Sequence, residues 1–315
     1  MSTIVIIDHG VVGDRAVERR VLESAGHEVV GTQELGLTVE EAFDLAVERD
    51  AAPILAGPIV ALDRGHLERL DCCRAVVRYG VGLDNVDVDA AQELGIGVGN
   101  VPEYGHEEIS NHAIALLLAL ARKLPAFDAA VRRGTEIPAP QSVRRLSQST
   151  LGLVGLGRIG RRVAEKARAF GLDVVAYDPY ASPGAGVELL ALDELLARAD
   201  ILSLHVPLTR ETRHMIGARE LALLPPGAFV INIGRGGLLD EDAVVEALRS
   251  GRVAGAALDV TEIEPLPLGS PLLDAPNVIL TPHVAWVSDV ALEDLKRLTA
   301  EATLRLLGTR EPVAV

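Results

Sequence analysis

Short apolar runs alternate with stretches of helical periodicity along most of the chain. The early runs, at Thr3–Ile7, Pro53–Ala56 and 75–77, are separated by helical stretches such as 14–25 and 38–48. Later runs follow at 151–154, 174–177, Ile201–Leu204, Ala228–Asn232, 254–258 and Val278–Leu280. Apolar strands that alternate with helices are typical of parallel sheets covered on both faces. The pattern therefore predicts an α/β fold with doubly wound parallel sheets.

One segment interrupts the alternation and indicates how the domains divide. At about 150 residues per domain, 315 residues predict two domains. The stretch 107–123 is apolar nearly all round its second half, so we expect it to be buried within the fold or against a second subunit. A loop rich in Gly and Pro follows at 134–141, and a new strand–glycine–helix unit starts at Ser149.

These features predict two Rossmann-like domains, one of them discontinuous. Residues 102–283 would form a nucleotide-binding domain. Residues 1–101 and 284–315 would form the substrate-binding, flavodoxin-like domain, because the last helix, at 291–307, packs most economically by returning to it.

A glycine-rich segment follows the run at 151–154 and opens a helical stretch. Its glycines, Gly155, Gly157 and Gly160, have the GxGxxG spacing of a dinucleotide-binding turn. The first permits a tight turn, the second lets the backbone approach a pyrophosphate, and the third lets helix and strand pack closely. The helix N-terminus offers N–H groups to the phosphates. We predict a dinucleotide site that also includes Arg158 and Ile159; a glycine-rich turn without a ligand is the alternative.

Asp178 ends the next predicted strand, 18 residues after Gly160. A carboxylate at about that distance accepts from the ribose 2′-OH and repels a 2′-phosphate, which favours NAD over NADP. A strand-end aspartate that merely starts a turn is the alternative.

Three segments at the ends of predicted strands carry candidate catalytic groups: Arg235, Glu264 and His283. We predict that Arg235 grips a substrate carboxylate at two points. His283 would donate a proton to a substrate carbonyl as hydride arrives from a nicotinamide. Glu264 would accept from the other ring nitrogen and favour the charged ring. These are the groups that reduction of a 2-keto acid requires, and in the reverse direction His283 would act as the base.

Each of these three residues also has a structural interpretation. Arg235 could lie in a surface turn, Glu264 could be solvated, and His283 could cap an element or fill the core. The reductase interpretation is favoured because one fold then explains all three together with the glycine turn.

Composition and charge exclude several other classes of protein. Lys and Arg total 30 and Asp and Glu total 45, a net charge of −15 that disfavours nucleic acid and anionic membranes as partners. The two cysteines, Cys72 and Cys73, are neighbours and exclude a disulfide framework, and with His106 and His112 they form no metal-ligand pattern. No basic region precedes the first apolar run, and the longest apolar helical run is far shorter than the ~20 residues of a membrane span. We therefore expect a cytoplasmic protein without a metal.

Six segments, in this order and combination, resemble the D-isomer-specific 2-hydroxyacid dehydrogenases over nearly the full length of the chain. They are 78–87 (RYGVGLDNVD), 155–160, 205–209 (HVPLT), 232–236, 259–265 and 281–286. The resemblance implies the fold described above, NAD as cofactor, and Arg235, Glu264 and His283 as the catalytic set.

The resemblance also implies further contacts. Asp259 would contact the nicotinamide amide, and Pro207 and Thr212 would line the cofactor groove, where we also place Ile233. The backbone of Gly80, Val81 and Gly82 would hold the substrate carboxylate from the other domain. A homodimer would form largely on the helix at 107–123.

Within the family, the chain looks closest to the branch of C-terminal binding proteins and their bacterial relatives. The cues are RYGVG at 78–82 and Trp286. In that branch the tryptophan lines the substrate pocket, and it would suit a 2-keto acid with an apolar or thioether side chain. Packing at a hinge is the alternative role of Trp286.

Because the sequence ends at Val315, we expect no C-terminal regulatory domain. Glu264 and Val81 argue against formate and phosphite as substrates. The rival function is an NADH-responsive, corepressor-like scaffold with vestigial catalysis.

Overall fold

The computed structural model describes residues 2–8, 10, 12–135, 143–182 and 186–308. Most of the predicted loop at 134–141 lies outside these residues. The chain divides into two compact units, of which the first comprises Met1–Gly105 and Ser288–Val315 and the second His106–Val287. No helix in the described ranges is long and apolar enough to cross a bilayer.

The first unit is built on a five-stranded parallel sheet. Its strand order, β2-β1-β3-β4-β5, is the flavodoxin-like order. The strands are β1 (Thr3–Ile7), β2 (Glu28–Gly31), β3 (Pro53–Ala56), β4 (Ala75–Arg78) and β5 (Gly97–Gly99).

Short helices connect these strands, and the long last helix of the chain returns to the same unit. They are α1 (Ala16–Ser24), α2 (Val39–Glu48), α3 (Arg64–Leu67), α4 (Val88–Glu93) and α11 (Asp289–Gly308). Local sequence fixes where they begin: Thr38 and Glu41 form a reciprocal capping box at the start of α2. Helix α11 packs on α1 and on β3, β4 and β5, and so completes the cover of this sheet.

The second unit contains a seven-stranded parallel sheet in the order β8-β7-β6-β9-β10-β11-β12. The first six positions reproduce the Rossmann order 3-2-1-4-5-6, and β12 adds a strand at one edge. The strands are β6 (Thr150–Val154), β7 (Asp173–Tyr177), β8 (Glu188–Leu189), β9 (Ile201–Leu204), β10 (Ala228–Asn232), β11 (Val253–Leu258) and β12 (Val278–Leu280).

Helices cover both faces of this second sheet. They are α5 (His106–Ala121), α6 (Leu124–Arg133), α7 (Arg158–Ala169), α8 (Leu192–Arg198), α9 (Ala218–Leu223) and α10 (Glu241–Arg249). Alternate residues of one strand enter different cores: Val230 packs in one buried cluster, while Phe229 and Ile231 pack in the other with apolar residues of α5. A sheet covered on both faces explains the continuous apolar runs of the sequence.

The predicted α/β class with two doubly wound parallel sheets is confirmed. Three strands, β2, β5 and β8, were not predicted. Strand β5 has three residues, of which two are glycines, and β8 has only two residues, so neither carries a strong strand signal. The long helix begins at His106 and ends at Ala121, because Lys123 adopts a left-handed conformation (φ 52°) before α6 begins.

Candidate active site

The glycine-rich segment forms the turn between β6 and α7. Gly155 has φ +98°, and a Cβ atom there would lie 2.8 Å from the backbone of His205. A Cβ atom at Gly160 would overlap the carbonyl oxygen of Gly155. A Cβ atom at Gly157, in contrast, would meet nothing within 4 Å. The turn therefore requires glycine for its own folding at two positions, while the third leaves open space above the N-terminus of α7, as a bound pyrophosphate requires.

Asp178 follows β7 and lies beside this turn. One of its carboxylate oxygens accepts from the backbone N–H of Leu156 (2.8 Å), and the other accepts from those of Tyr180 (2.8 Å) and Ala181 (3.1 Å). These bonds fix the carboxylate next to the glycine turn, where the ribose of a dinucleotide would lie. The residues present therefore fit an adenine dinucleotide without a 2′-phosphate.

Other predicted cofactor-binding residues lie on the same edge of the sheet. Thr212 closes the loop after β9: its hydroxyl donates to the carbonyl of Pro207 (2.7 Å) and accepts from the N–H of Thr209 (2.7 Å). Ile233 is 8 % exposed and packs in a buried cluster. Arg158 and Ile159 form the first turn of α7.

Glu264 and His283 form the closest ionisable pair at this edge. Glu264 Oε2 lies 2.7 Å from His283 Nδ1, and about a third of each side chain is exposed. The other carboxylate oxygen of Glu264 accepts from the N–H of Thr261 (3.1 Å). Burial raises the pKa of Glu264, but the hydrogen bond and charge of His283, the Thr261 N–H and the charge of Arg235 outweigh it, so the pKa lies below its ordinary value. The carboxylate is therefore ionised and accepts a hydrogen bond from Nδ1–H, which leaves Nε2 as the ring nitrogen that Glu264 does not engage.

Arg235 lies in the turn after β10. The side chain of the buried Asn232 holds this turn, because its amide donates to the carbonyl of Arg235 (2.8 Å) and its oxygen accepts from the N–H of Gly234 (3.1 Å). A Cβ atom at Gly236 would overlap the backbone of Thr261, so only glycine permits the turn to approach the segment that carries Glu264. The structure thus brings together the three predicted catalytic residues.

Asp259 is buried and supports the segment that carries His283. Its carboxylate accepts from the Thr281 hydroxyl (2.5 Å) and from the N–H groups of Val284 (3.0 Å) and Ala285 (2.9 Å). Burial raises its pKa, but the hydrogen bonds of His112, Thr281 and these two amides outweigh it, so the pKa is lowered. Contact between Asp259 and a nicotinamide amide stays a prediction.

The residues assigned to substrate binding fall in both units. In the second unit, the indole N–H of Trp286 donates to the carbonyl of His283 (3.1 Å). In the first, Gly80, Val81 and Gly82 follow β4: Gly80 has φ +121°, its carbonyl accepts from Val101 N–H (2.9 Å), and that of Val81 accepts from the Asn100 amide (2.7 Å). Their contact with a substrate also stays a prediction.

Sequence reasoning assigned no role to two side chains at this edge, Thr281 and His112. His112 Nε2 lies 3.1 Å from Thr281 Oγ1 and 3.5 Å from Asp259 Oδ1. The available signal was a histidine at the start of the apolar half of a buried helix. Its contacts with Asp259 and Thr281, 147 and 169 positions further along the chain, could not be predicted from the sequence, because they depend on how α5 packs on the sheet.

A family model provides the decisive comparison. The model of the D-isomer specific 2-hydroxyacid dehydrogenase NAD-binding domain matches residues 114–285. The chain belongs to this family. The match confirms the predicted family and the predicted cofactor, NAD, and the matched residues lie within the second unit. The C-terminal binding protein branch is not specifically supported.

Individual relatives agree with this assignment. The chain is 40% identical over 293 residues to D-3-phosphoglycerate dehydrogenase of Methanocaldococcus jannaschii, covering 91% of this chain and 55% of that protein. It spans about half the length of the curated relatives it matches. A solved structure of a Thermus thermophilus protein is 35% identical, with a TM-score of 0.85 and 98% of each chain covered. A D-lactate dehydrogenase of Aquifex aeolicus, solved with NAD and lactic acid, is 28% identical, with a TM-score of 0.85 and 97% and 95% covered.

Proposed function

We propose that the protein is an NAD-dependent oxidoreductase that interconverts a 2-keto acid and a D-2-hydroxy acid. The observation that carries the proposal is the 2.7 Å pair between Glu264 and His283 on the same sheet edge as Arg235 and the glycine turn. A proton donor, a fixed cation and a dinucleotide turn are the groups that carbonyl reduction requires.

In this proposal the bound NADH supplies the hydride, and the chain supplies position, charge and a proton. The turn from Gly155 to Gly160 and the N-terminus of α7 hold the pyrophosphate, and Asp178 binds the adenosine ribose. Because the Asp178 carboxylate would repel a 2′-phosphate, we propose NAD rather than NADP as the preferred cofactor.

The proton moves through His283. Its Nδ1–H donates to the ionised Glu264, so Nε2–H faces the reacting oxygen and donates its proton as the carbonyl is reduced. In the direction of oxidation, Nε2 takes the hydroxyl proton instead. Glu264 stabilises the charged ring in both directions and keeps its orientation.

Arg235 binds the carboxylate of the substrate. A guanidinium can grip both oxygens at once, which fixes the orientation of the neighbouring carbonyl for attack. We propose that Gly80, Val81 and Gly82 of the first unit contribute backbone contacts to the same carboxylate, that Trp286 lines the pocket, and that Asp259 contacts the nicotinamide amide.

The direct test is steady-state NADH oxidation with a panel of 2-keto acids: pyruvate, glyoxylate, hydroxypyruvate, a longer apolar acid, a thioether acid and 3-phosphohydroxypyruvate. The last is included because curated relatives are D-3-phosphoglycerate dehydrogenases. We expect turnover above ~1 s⁻¹ on at least one acid.

Variants then test the roles of the residues. His283→Gln and Glu264→Gln should lower kcat by about 10²- to 10⁴-fold, the usual contribution of a general acid. Arg235→Lys should mainly raise the KM for the keto acid, because a lysine cannot make the two-point contact.

Glu262→Gln, an exposed neighbour of the pair, is the control and should keep wild-type rates. Slow turnover of every acid, or wild-type turnover by the His283 variant, would refute the proposal; tight NADH binding without turnover would favour the scaffold function.

A further inference from the structure

Three side chains from separate elements of the second unit form one hydrogen-bonded chain. His112 lies on α5, Asp259 follows β11, and Thr281 follows β12. Thr281 Oγ1 lies 3.1 Å from His112 Nε2 and 2.5 Å from Asp259 Oδ1. The side chain of Asp259 is fully buried, and that of His112 is 23 % exposed.

The direction of each hydrogen bond follows from the donors available. The Asp259 carboxylate is ionised and can only accept, so the single hydroxyl hydrogen of Thr281 points to it. The Thr281 oxygen must then accept from His112, which places a hydrogen on His112 Nε2. The series of hydrogen bonds therefore runs from His112 through Thr281 to Asp259.

At its Asp259 end, this series of hydrogen bonds holds the turn that carries His283. The carboxylate of Asp259 accepts from the N–H groups of Val284 and Ala285, and its backbone carbonyl accepts from the N–H of His283 at 2.7 Å. His283 itself has φ 54°, a left-handed conformation that is uncommon for a residue with a Cβ atom and that its surroundings must stabilise. Asp259 thus clamps three consecutive residues, and the first of them is the proposed proton donor.

We propose that His112 is a positioning residue for the reaction: by donating to Thr281 it orients the Asp259 carboxylate, which in turn fixes the left-handed turn of His283. This inference rests on the proposed function for its catalytic meaning. His112 contacts neither the His283 ring nor Glu264 in the described structure, so its effect on catalysis passes through the backbone of residues 283–285.

The first test measures the strength of the hydrogen bonds from Val284 and Ala285 to Asp259, without cofactor or substrate. Amide hydrogen exchange, resolved to single residues by mass spectrometry, is compared at Val284 and Ala285 among the wild type and three variants. His112→Leu removes the donor at similar bulk, and His112→Gln keeps an amide donor at similar reach. Asn111→Ala is the matched control, because Asn111 bonds to Glu107 and Lys166 on the exposed side of α5.

We expect exchange at Val284 and Ala285 to accelerate about 5- to 10-fold in His112→Leu, the loss that corresponds to one hydrogen bond. His112→Gln should stay within about 2-fold of the wild type and Asn111→Ala should not differ from it. Unchanged exchange at these two amides in His112→Leu would overturn the proposal. An equal acceleration across the whole second unit would overturn it too, because it would show a loss of general stability and not a local loss of hydrogen bonds at residues 284 and 285.

The second test connects the clamp to the reaction. With the best keto acid of the panel, His112→Leu should lower kcat about 10-fold, and any rise in the KM for NADH should be smaller, because the glycine turn that would hold the pyrophosphate is not affected. His112→Gln should restore most of kcat. Adding His112→Leu to Thr281→Val should cause little further loss, because His112 acts through Thr281. An additive loss, or a change in KM alone, would overturn the proposal.

The two tests separate this inference from the proposed function. If the wild type turned over no keto acid, the proposed function would fail, while the exchange experiment would still decide whether His112 holds the turn. If the wild type is active and His112→Leu is too, with normal exchange, only the present inference fails.

Discussion

Single residues at the ends of the strands would carry the proposed chemistry of the second unit, and their surroundings influence their charge. Glu264 and Asp259 both have lowered pKa values, because hydrogen bonds to the carboxylates outweigh the cost of burial. The sequence predicted Arg235, Glu264 and His283 as catalytic groups through the motifs that contain them. It could not locate Thr281 and His112, because their roles depend on contacts between distant segments.

Asp178 leads to a prediction about cofactor choice. Asp178→Asn removes the negative charge but keeps an acceptor for the N–H of Leu156. We expect the ratio of kcat/KM for NADPH over NADH to rise about 10-fold, because repulsion of the 2′-phosphate is lost. Initial rates with both cofactors measure the ratio. Asp173→Asn, at the exposed start of the same strand, is the control, and an unchanged ratio in Asp178→Asn would contradict the assigned role.

His205 leads to a prediction about pH and stability. Burial lowers its pKa to about 4, and its Nε2 lies 2.9 Å from Ser203 Oγ. Because the unfolded chain binds this proton at its ordinary pKa of about 6.5, the stability gained from keeping the ring neutral is present above pH 6.5 and is lost as pH falls toward 4.

A comparison with His205→Gln, which cannot be protonated, isolates this effect. Relative to the variant, the wild type should lose free energy of unfolding between pH 7 and pH 5. Urea unfolding at the two pH values measures the difference. An identical pH dependence in both proteins would show that His205 is not held neutral.

Among the elements, the turn between β6 and α7 is the one whose sequence and geometry agree most closely. The glycine spacing predicted it, and steric contacts at Gly155 and Gly160 explain why no other residue fits. Elements without such a signal were missed: β5 and β8 are too short, and they pair because a neighbouring strand presents an open edge.

Gly160→Ala tests the turn as an element. The added methyl group overlaps the carbonyl oxygen of Gly155, so α7 must move away from β6. We expect a loss of about 1–3 kcal/mol in the free energy of unfolding and at least 10-fold weaker NADH binding. Fluorescence titration and urea unfolding measure the two effects. Gly269→Ala, where a Cβ atom meets nothing within 4 Å, should change neither.

At the scale of the whole molecule, the alternation of apolar runs with helical stretches predicted the α/β class, and economy of packing predicted that the last helix returns to the first unit. The oligomeric state depends on surfaces that a sequence pattern does not mark as exposed. Leu124, Phe127 and Val131 recur at i, i+3 and i+7 on α6, and Leu124 and Val131 are exposed at 55% and 77%. We propose that a second copy of the chain covers this stripe, together with α5, in a homodimer.

Val131→Glu tests this proposal by placing a charge in the interface. We expect the variant to sediment as a monomer and the wild type as a dimer, because an unpaired charge is costly to bury. Val47→Glu, at an exposed valine of the first unit, is the control and should remain dimeric. A wild type that sediments as a monomer, or a Val131 variant that stays dimeric, would contradict the proposal.

The return of α11 to the first unit has a consequence for synthesis on the ribosome. Helix Asp289–Gly308 packs on α1 and β4, but it is translated after every residue of the second unit. The nascent chain therefore holds all it needs to complete the second unit while the sheet translated first still lacks part of its apolar cover. The sheet of the first unit therefore cannot gain its full apolar cover before the residues of the second unit have been synthesised.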